Sequence, residues 1–224
     1  MQYYLFEANG AMGAGVAYDD TLPSGAVSCT QAQYQNPDAW AISSGAIVAS
    51  TLTLAAAQAA QLAALNQACA SAITAGFSAT INGASATVTL SASDQANMTM
   101  NAATAQTALQ AAAWASGATY AKNALVIVGG VPLVTFSGGV SGTAAPAAPT
   151  AFQSAVTDGA VTWYKLGFWL GTSTGNVMIA PADMIQVCGE MVAHISQCRS
   201  KYETFKAQVQ AATTVADVQA IVWQ

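Results

Sequence analysis

Charge is the scarcest feature of this chain. Of its 224 residues, 5 are Lys or Arg and 10 are Asp or Glu, or 7% of the sequence, against about 25% in an ordinary soluble domain. No charge occurs between Asp38 and Asp94, or from 123 to 157. The polar surface must therefore consist of Ser, Thr, Asn and Gln, which can be buried without dehydrating an ion. Such a surface suits lasting contact with other subunits, although the alanine bias of a GC-rich genome would also explain the composition.

Basic residues are especially few, and the formal net charge is −5. Three of the five Lys and Arg residues fall between Arg199 and Lys206. Because a phosphate backbone is bound by clustered cations, we expect no nucleic-acid partner.

The chain also has little material for a catalytic or metal site. His194 is the only histidine, so any nucleophile–histidine arrangement would have to use it. Glu190 and Cys198 lie four residues to either side, which is too few ligands at close spacing for a metal. We interpret His194 as a half-exposed helix residue and the Asp19-Asp20 pair as a solvated turn rather than a glycosidase pair. With no phosphate-binding glycine run either, we expect no enzymatic activity, no metal and no cofactor.

Signals for export, membrane insertion or disulfide formation are missing as well. The opening MQYYLFEANG lacks a basic region and a long apolar run, so we expect no secretory signal. Polar residues interrupt the apolar segment 52–75, which we interpret as a soluble helix rather than a membrane span. No cysteine pair has CxxC spacing, and we expect buried thiols in a reducing compartment at Cys29, Cys69, Cys188 and Cys198.

Periodic apolar positions predict three long helices and a short last one. The first covers 53–75, the second runs from 93 to about 113 with Ser or Asp as its cap, and the third begins at Pro181. A short helix capped by Thr214, with Asp217 three residues later, follows. The third helix carries a 3.5-residue repeat that predicts a seam for helix packing or oligomerisation, formed by Met184, Cys188, Met191, Ile195, Cys198, Tyr202, Phe205 and Val209. This seam packs either on the other helices of the same chain or between chains.

Turn signals and β-forming runs fill the remaining segments. Asn9-Gly10 predicts a turn after an aromatic first strand, and Asn82-Gly83 predicts a hairpin between the first two helices. Residues 114–163, rich in Val, Thr, Gly and Pro, show no helical period and predict strands about a Gly129-Gly130 turn.

The predicted fold class is therefore α+β, in three parts. A small β-rich unit covers 1–50. An antiparallel helical unit with one β-hairpin is built from 51–113 together with 164–224. A small all-β module, 114–163, is inserted in that helical unit.

An aromatic cluster, DGAVTWYKLGFWLG at 158–171, marks the end of the inserted module. We expect Trp163 in the core of the module, and Trp169 packed against the helical unit or a neighbouring subunit. Four rings of the module could form a glycan-binding platform, namely Trp114, Tyr120, Phe136 and Trp163. The alternative is that a module of about 50 residues needs most of its large rings for its own core.

Three stretches resemble proteins of tailed-bacteriophage tails. MQYYLFEANGAMGAGVAYDDTLPSGAVSCT resembles the N-terminal unit of many tail-fibre and baseplate proteins, with its tyrosine-rich strand, acidic turn and P-x-G/A-x-V-x-C/I-T pattern. The inserted module resembles a small β repeat of phage fibres, often compared with chitinase carbohydrate-binding modules. That repeat has W…Y…G-x-V, a Gly-Thr-Ser/Ala-x-x-Pro loop and a terminal D-G-x-V-x-W; here Asn123 stands at its usual glycine. ASDQANMTM and the ending VAHISQCRSKYETFKAQVQAATTVADVQAIVW are similar to a C-terminal tail-fibre domain of unknown function.

This resemblance implies a structural protein of the virion tail, made in the host cytoplasm, in a fibre or at its baseplate attachment. It implies a homo-oligomer, with a trimer favoured because fibres are usually trimeric, and other phage tail proteins as partners. Two alternatives stay open. The chain could bind a host-receptor glycan through 114–163, or it could be a fibre-assembly chaperone that is absent from the mature particle.

Overall fold

The computed structural model describes residues 1–8, 11–19, 21–49 and 53–224. It contains α-helices together with antiparallel sheets, which confirms the predicted α+β class. Its contacts divide the chain into two compact units, residues 1–65 with 205–224, and residues 66–204. The division into three parts stays a prediction, although 114–163 lies wholly within the second unit. The predicted Asn9-Gly10 turn lies outside the described residues.

The first unit begins with small antiparallel sheets. Its strands and short helices are β1 Gln2–Ala8, β2 Ala11–Ala17, β3 Val27–Ser28, α1 Gln31–Gln35, a 3-10 turn Pro37–Ala39, β4 Trp40–Ser43 and β5 Ala46–Ala49. Three strands form one sheet in the order β2-β1-β3, and β4 pairs with β5 in a hairpin that the sequence interpretation missed. The rings of Tyr4 and Phe6 lie over Gly15 and Gly13 of the paired strand, which explains two glycines in the middle of β2.

Helical segments complete the first unit. Helix α2 is Leu54–Thr74, α4 is Pro181–Ala211 and α5 is Val215–Gln219, so the first two each contribute one end to this unit. Gln58 of α2 donates its amide to the carbonyl oxygens of Val209 and Ala212, at 3.0 and 3.3 Å. These carbonyls lie at the C-terminal end of α4, where no further helical N–H can bond them. Gln58 therefore caps α4 from a different helix.

The second unit contains a four-stranded sheet packed against helices. Its order is β15-β14-β7-β6, from β6 Phe77–Ile81, β7 Ala84–Val88, β14 Phe168–Thr172 and β15 Gly175–Ile179. Val88, Leu170 and Ile179 of the sheet share one core with Met98 of helix α3, Ala92–Leu109, and with Met184 of α4. The sequence interpretation found the β6–β7 hairpin but missed β14–β15. The part predicted as helices with one hairpin thus carries two hairpins joined by a Thr172–Val88 pair.

Two helix ends follow local chemistry. Gly76 ends α2 at φ +85°, a conformation that L side chains rarely adopt. Helix α3 begins at Ala92, before its predicted cap, and its N-cap is Ser91, whose side chain accepts from the N–H of Asp94. Asp94 lies at the third helical position and accepts from Ser91 in return, a reciprocal capping box. The expectation of a cap at Ser93 or Asp94 was wrong.

The module 114–163 forms a separate group of strands with its own core. They are β8 Thr119–Tyr120, β9 Leu125–Val128, β10 Val131–Thr135, β11 Gly139–Val140, β12 Ala155–Asp158 and β13 Val161–Lys165. Four pair in the order β12-β13-β10-β9, and β11 pairs with β8. The core gathers Val126, Leu133, Val161 and Trp163. The turn at Gly129-Gly130 is confirmed between β9 and β10.

Within the described ranges, no helix is both long and apolar enough to cross a membrane.

The cap that Gln58 supplies can be tested by substitution. We expect Gln58→Ala to lower the free energy of unfolding by about 1 kcal/mol, since two carbonyls lose their donor. The control is Gln67→Ala, an exposed glutamine of the same helix, which should change stability by less than about 0.5 kcal/mol. Urea denaturation of both variants measures the difference, and equal effects would contradict the capping role.

Candidate functional site

The four aromatic residues proposed as a glycan platform do not share one surface. Trp163 is fully buried, as its predicted core position requires, and Trp114 and Tyr120 pack against the same core. The Tyr120 ring meets Trp163 edge to face, with centroids 4.9 Å apart. Phe136 is 56% exposed and contacts the ring of Tyr164 instead, at 5.2 Å. Three of the four candidates therefore serve the core, and Phe136 alone lies on the surface.

The core of the module is organised around one buried carboxylate. Asp158 is 5% exposed. Its Oδ2 accepts from the indole N–H of Trp114 at 2.7 Å and from that of Trp163 at 2.9 Å. Its Oδ1 accepts from the backbone N–H of Gly142 at 2.7 Å. Sequence reasoning named both tryptophans but missed this aspartate; the D-G-x-V-x-W pattern was its only signal.

These donors set the ionisation of Asp158. Burial raises its pKa, but the hydrogen bonds from Trp163, Trp114 and Gly142 outweigh burial and hold the pKa below its ordinary value. The group is therefore a carboxylate at neutral pH, and its buried charge is compensated by three donors.

Close approach of the backbone accounts for the glycine after this aspartate. Gly159 turns the chain between β12 and β13 at φ +60°. A Cβ atom there would lie 2.7 Å from the carbonyl oxygen of Val140 and 2.8 Å from the amide nitrogen of Gly142. A larger residue would push away the loop that supplies a donor to Asp158.

The surface side of the module carries a small cleft. It has a volume of about 280 Å³ and lies beside Phe136 and Tyr164, with Val134, Gln153, Lys165, Leu166 and Gly167 completing its lining. The Lys165 ammonium donates to the carbonyl of Thr150 at 2.7 Å and lies over the ring of Phe152. The cleft therefore offers mainly aromatic and apolar area.

The predicted seam of helix α4 is covered within the chain. Met184 and Met191 are buried in the core of the four-stranded sheet, and Cys188 and Ile195 pack against that core. Cys198 is buried, and its carbonyl oxygen accepts from the thiol of Cys69 on α2.

The later seam residues are covered as well. Tyr202 is half-buried, the Phe205 ring contacts Trp223 at 5.7 Å, and Val209 is fully buried. The apolar repeat thus packs within the chain, largely against the four-stranded sheet in its first half and against α2 and Trp223 further on. Packing within the chain was one of the two arrangements that the sequence left open.

The other reactive side chains have structural contacts. The Nε2 of His194 lies 3.2 Å from the carbonyl oxygen of Ala72, and its ring stacks on Phe77. Cys69 and Cys198 are buried, whereas Cys29 and Cys188 are half-buried, and all four are free thiols. Burial raises the pKa of Cys29, Cys69 and Cys188.

The acidic pair of the sequence is Asp19-Asp20. Asp19 is exposed and accepts from the N–H of Thr21, while Asp20 lies outside the described residues. Among the residues whose placement is described, no three His, Cys, Asp or Glu side chains are grouped as metal ligands would be.

Replacing the buried carboxylate should weaken the fold. We expect Asp158→Asn to lower the free energy of unfolding by about 1.5–3 kcal/mol, since the amide cannot accept from all three donors. Asp19→Asn is the matched control at an exposed site and should change stability by less than about 0.5 kcal/mol.

The same variant should change the response to acid. The pKa of Asp158 is lower in the folded chain than the value of about 3.9 in an unfolded one. Its contribution is therefore complete above about pH 4 and is lost as the pH falls towards the folded pKa. Urea titrations from pH 7 to pH 2 should show a smaller acid loss for Asp158→Asn than for the wild type. Identical profiles would contradict the assignment.

When the sequence is compared with known protein families, one family model matches it. The family model described as a domain of unknown function (DUF4376) matches residues 108–222, about half of the chain. No curated protein and no solved structure matches the sequence. The matched segment begins at the end of α3 and includes the Asp158 core, the β14–β15 hairpin and helices α4 and α5. The chain belongs to the DUF4376 family.

Proposed function

We propose that this chain is a structural component of a bacteriophage tail, in a fibre or at its baseplate attachment, and that it displays the β module. The observation that carries this proposal is the convergence at Asp158. The module's resemblance to the phage-fibre repeat depends on three separate signatures: an early tryptophan, a Gly-Thr loop and the terminal D-G-x-V-x-W. Trp114, Gly142 and Trp163 are the members of those signatures that bond the carboxylate. If the three signatures had matched by chance, we would not expect one residue of each to donate a hydrogen bond to the same carboxylate.

The composition supports lasting contact with other proteins. With 7% charged residues, a large part of this surface can be buried without dehydrating ions. Because the apolar seam of α4 is used within the chain, subunit contacts would involve other surfaces. We propose self-assembly, with a trimer favoured, together with other tail proteins, in a particle made in the host cytoplasm.

Particle composition tests the proposal directly. Tailed virions should be purified from the phage that encodes the chain and analysed by quantitative mass spectrometry. We expect the chain at a fixed copy number per particle, in multiples of three if the trimer is correct. A fibre-assembly chaperone would be abundant in infected cells but absent from the virions, and that result would overturn the structural role.

A second candidate function is attachment to a host glycan through the module. The exposed Phe136 favours it, since its ring and that of Tyr164 border the cleft described above. Flat rings beside polar groups can contact the apolar face of a sugar, while the remaining rings keep their core contacts.

Binding to host-surface polysaccharides would separate the two functions. If the module binds glycans, Phe136→Ala in the full chain should weaken binding at least tenfold. Val140→Ala, another exposed apolar residue of the module, should leave binding unchanged. Binding that survives Phe136→Ala would count against this cleft.

A further inference from the structure

A pocket on the four-stranded sheet of the second unit has no role in the functions above. It has a volume of about 220 Å³ and lies where β14, β15 and the start of α3 meet. Its lining comprises Thr89, Asp94, Asn97, Met98, Trp169, Leu170, Gly171 and Asn176. These residues lie outside the module 114–163, and none of them lines the Phe136–Tyr164 cleft.

Trp169 supplies a large exposed ring beside this pocket. Along β14, Phe168, Leu170 and Thr172 are buried, while Trp169 between them is 55% exposed. Strand alternation turns Trp169 away from the core, so most of its surface is not packed against the chain's own helices. Packing against a neighbouring subunit stays a prediction. In the described part of the chain its ring makes no ring contact and its indole N–H no hydrogen bond.

Gly171 creates the space next to that ring. A Cβ atom there would lie 2.8 Å from the Oγ1 of Thr89, 3.7 Å from the Oδ1 of Asp94 and 3.8 Å from the Oδ1 of Asn176. Polar oxygens from the β7–α3 loop, from α3 and from β15 thus converge where this strand position has no side chain. The pocket exists because residue 171 is glycine.

Asp94 brings a fixed negative charge to the same point. Its Oδ2 accepts from the N–H and the hydroxyl of Ser91, at 2.9 and 2.8 Å, while its Oδ1 faces the Gly171 position, 3.7 Å from where a Cβ atom would lie. Burial raises the pKa of Asp94, but the bonds from Ser91 and Thr89 outweigh burial and keep it below its ordinary value. Asp94 is the only charged residue of the lining.

An exposed indole ring beside a carboxylate and two amide groups suits one class of ligand, a neutral sugar. A pyranose has a face of C–H groups that can lie on a flat indole, and a rim of hydroxyls that bond carboxylate and amide groups. A carboxylate without a cation among the lining residues disfavours uronic acids, sialic acids and phosphates. The volume is below the range of about 300–1,000 Å³ for drug-sized ligands, so one ring fits while the rest of the ligand stays in solvent.

We propose that this pocket binds one pyranose ring of a neutral saccharide. Trp169 contacts the apolar face of the ring, and Asp94, Asn97 and Asn176 bond its hydroxyls. The site shares no lining residue with the Phe136–Tyr164 cleft, and its test does not require the chain to be a tail protein.

The test uses the full chain and two kinds of measurement. An array of neutral and acidic oligosaccharides is screened first, and the strongest neutral binder is then titrated into ¹⁵N-labelled protein. The chain has five tryptophans, and the indole N–H signal missing from Trp169→Phe assigns Trp169. We expect neutral saccharides to bind in preference to acidic ones and the Trp169 signal to shift on titration.

Variants separate this pocket from the other cleft. Gly171→Ala places a methyl group among the three oxygens and should weaken binding at least tenfold, as should Trp169→Ala. Phe136→Ala is the matched control and should bind as the wild type does. Thermal denaturation establishes that each variant is folded; if Gly171→Ala is not, the exposed Trp169→Ala decides.

Three results would overturn the proposal. The first is an array on which no neutral saccharide binds the wild type. The second is binding that survives Trp169→Ala. The third is binding lost in Phe136→Ala but kept in Trp169→Ala, which would place the saccharide in the cleft of the module.

Discussion

The module depends on a carboxylate that its own chain surrounds with donors. Burying an ion is unfavourable unless hydrogen bonds replace its water, and Asp158 receives three. The donors are Trp114 at the start of the module, Gly142 in its middle loop and Trp163 at its end. The Asp158 carboxylate therefore holds together three segments that are distant in sequence. A module of about 50 residues can bury little apolar area, and a polar centre with directed bonds gives it a unique arrangement that apolar packing alone would not specify.

That centre also decides which surfaces are left for recognition. The N–H groups of Trp114 and Trp163 are turned inwards to one oxygen, and Tyr120 packs its ring on the edge of Trp163. The feature of the sequence most typical of a sugar-binding surface is its set of four aromatic residues, and three of these rings belong to the core. The proposed saccharide sites would use rings that the core does not need, and among the described residues Phe136 and Trp169 are the most exposed rings of the second unit.

Local chemistry explains how much of the fold could be predicted. The long helices follow from apolar periodicity, and the hairpins at Asn82-Gly83 and Gly129-Gly130 follow from turn residues, so neighbouring positions contain the information. The β14–β15 hairpin was missed because its alternation covers only a few residues, and its place in the sheet depends on Val88, far away in sequence. The Trp169 pocket could not be predicted at all, since it depends on which face of that unrecognised strand meets Asp94 and on the missing side chain of Gly171.

Because charges are scarce in this chain, exposed aromatic rings matter more for any binding than they would in a typical domain. In a typical domain, clustered charges steer partners over long distances, but the few charges of this chain provide no such field. The recognition proposed above would then operate at contact, through ring area and through the amide, hydroxyl and carboxylate groups beside it. Such contacts are weakened little by salt, because screening acts mainly on exposed charges separated by more than a Debye length. An uncharged polar surface that bears isolated rings is therefore suited both to neutral saccharides and to lasting contact with protein surfaces of the same kind.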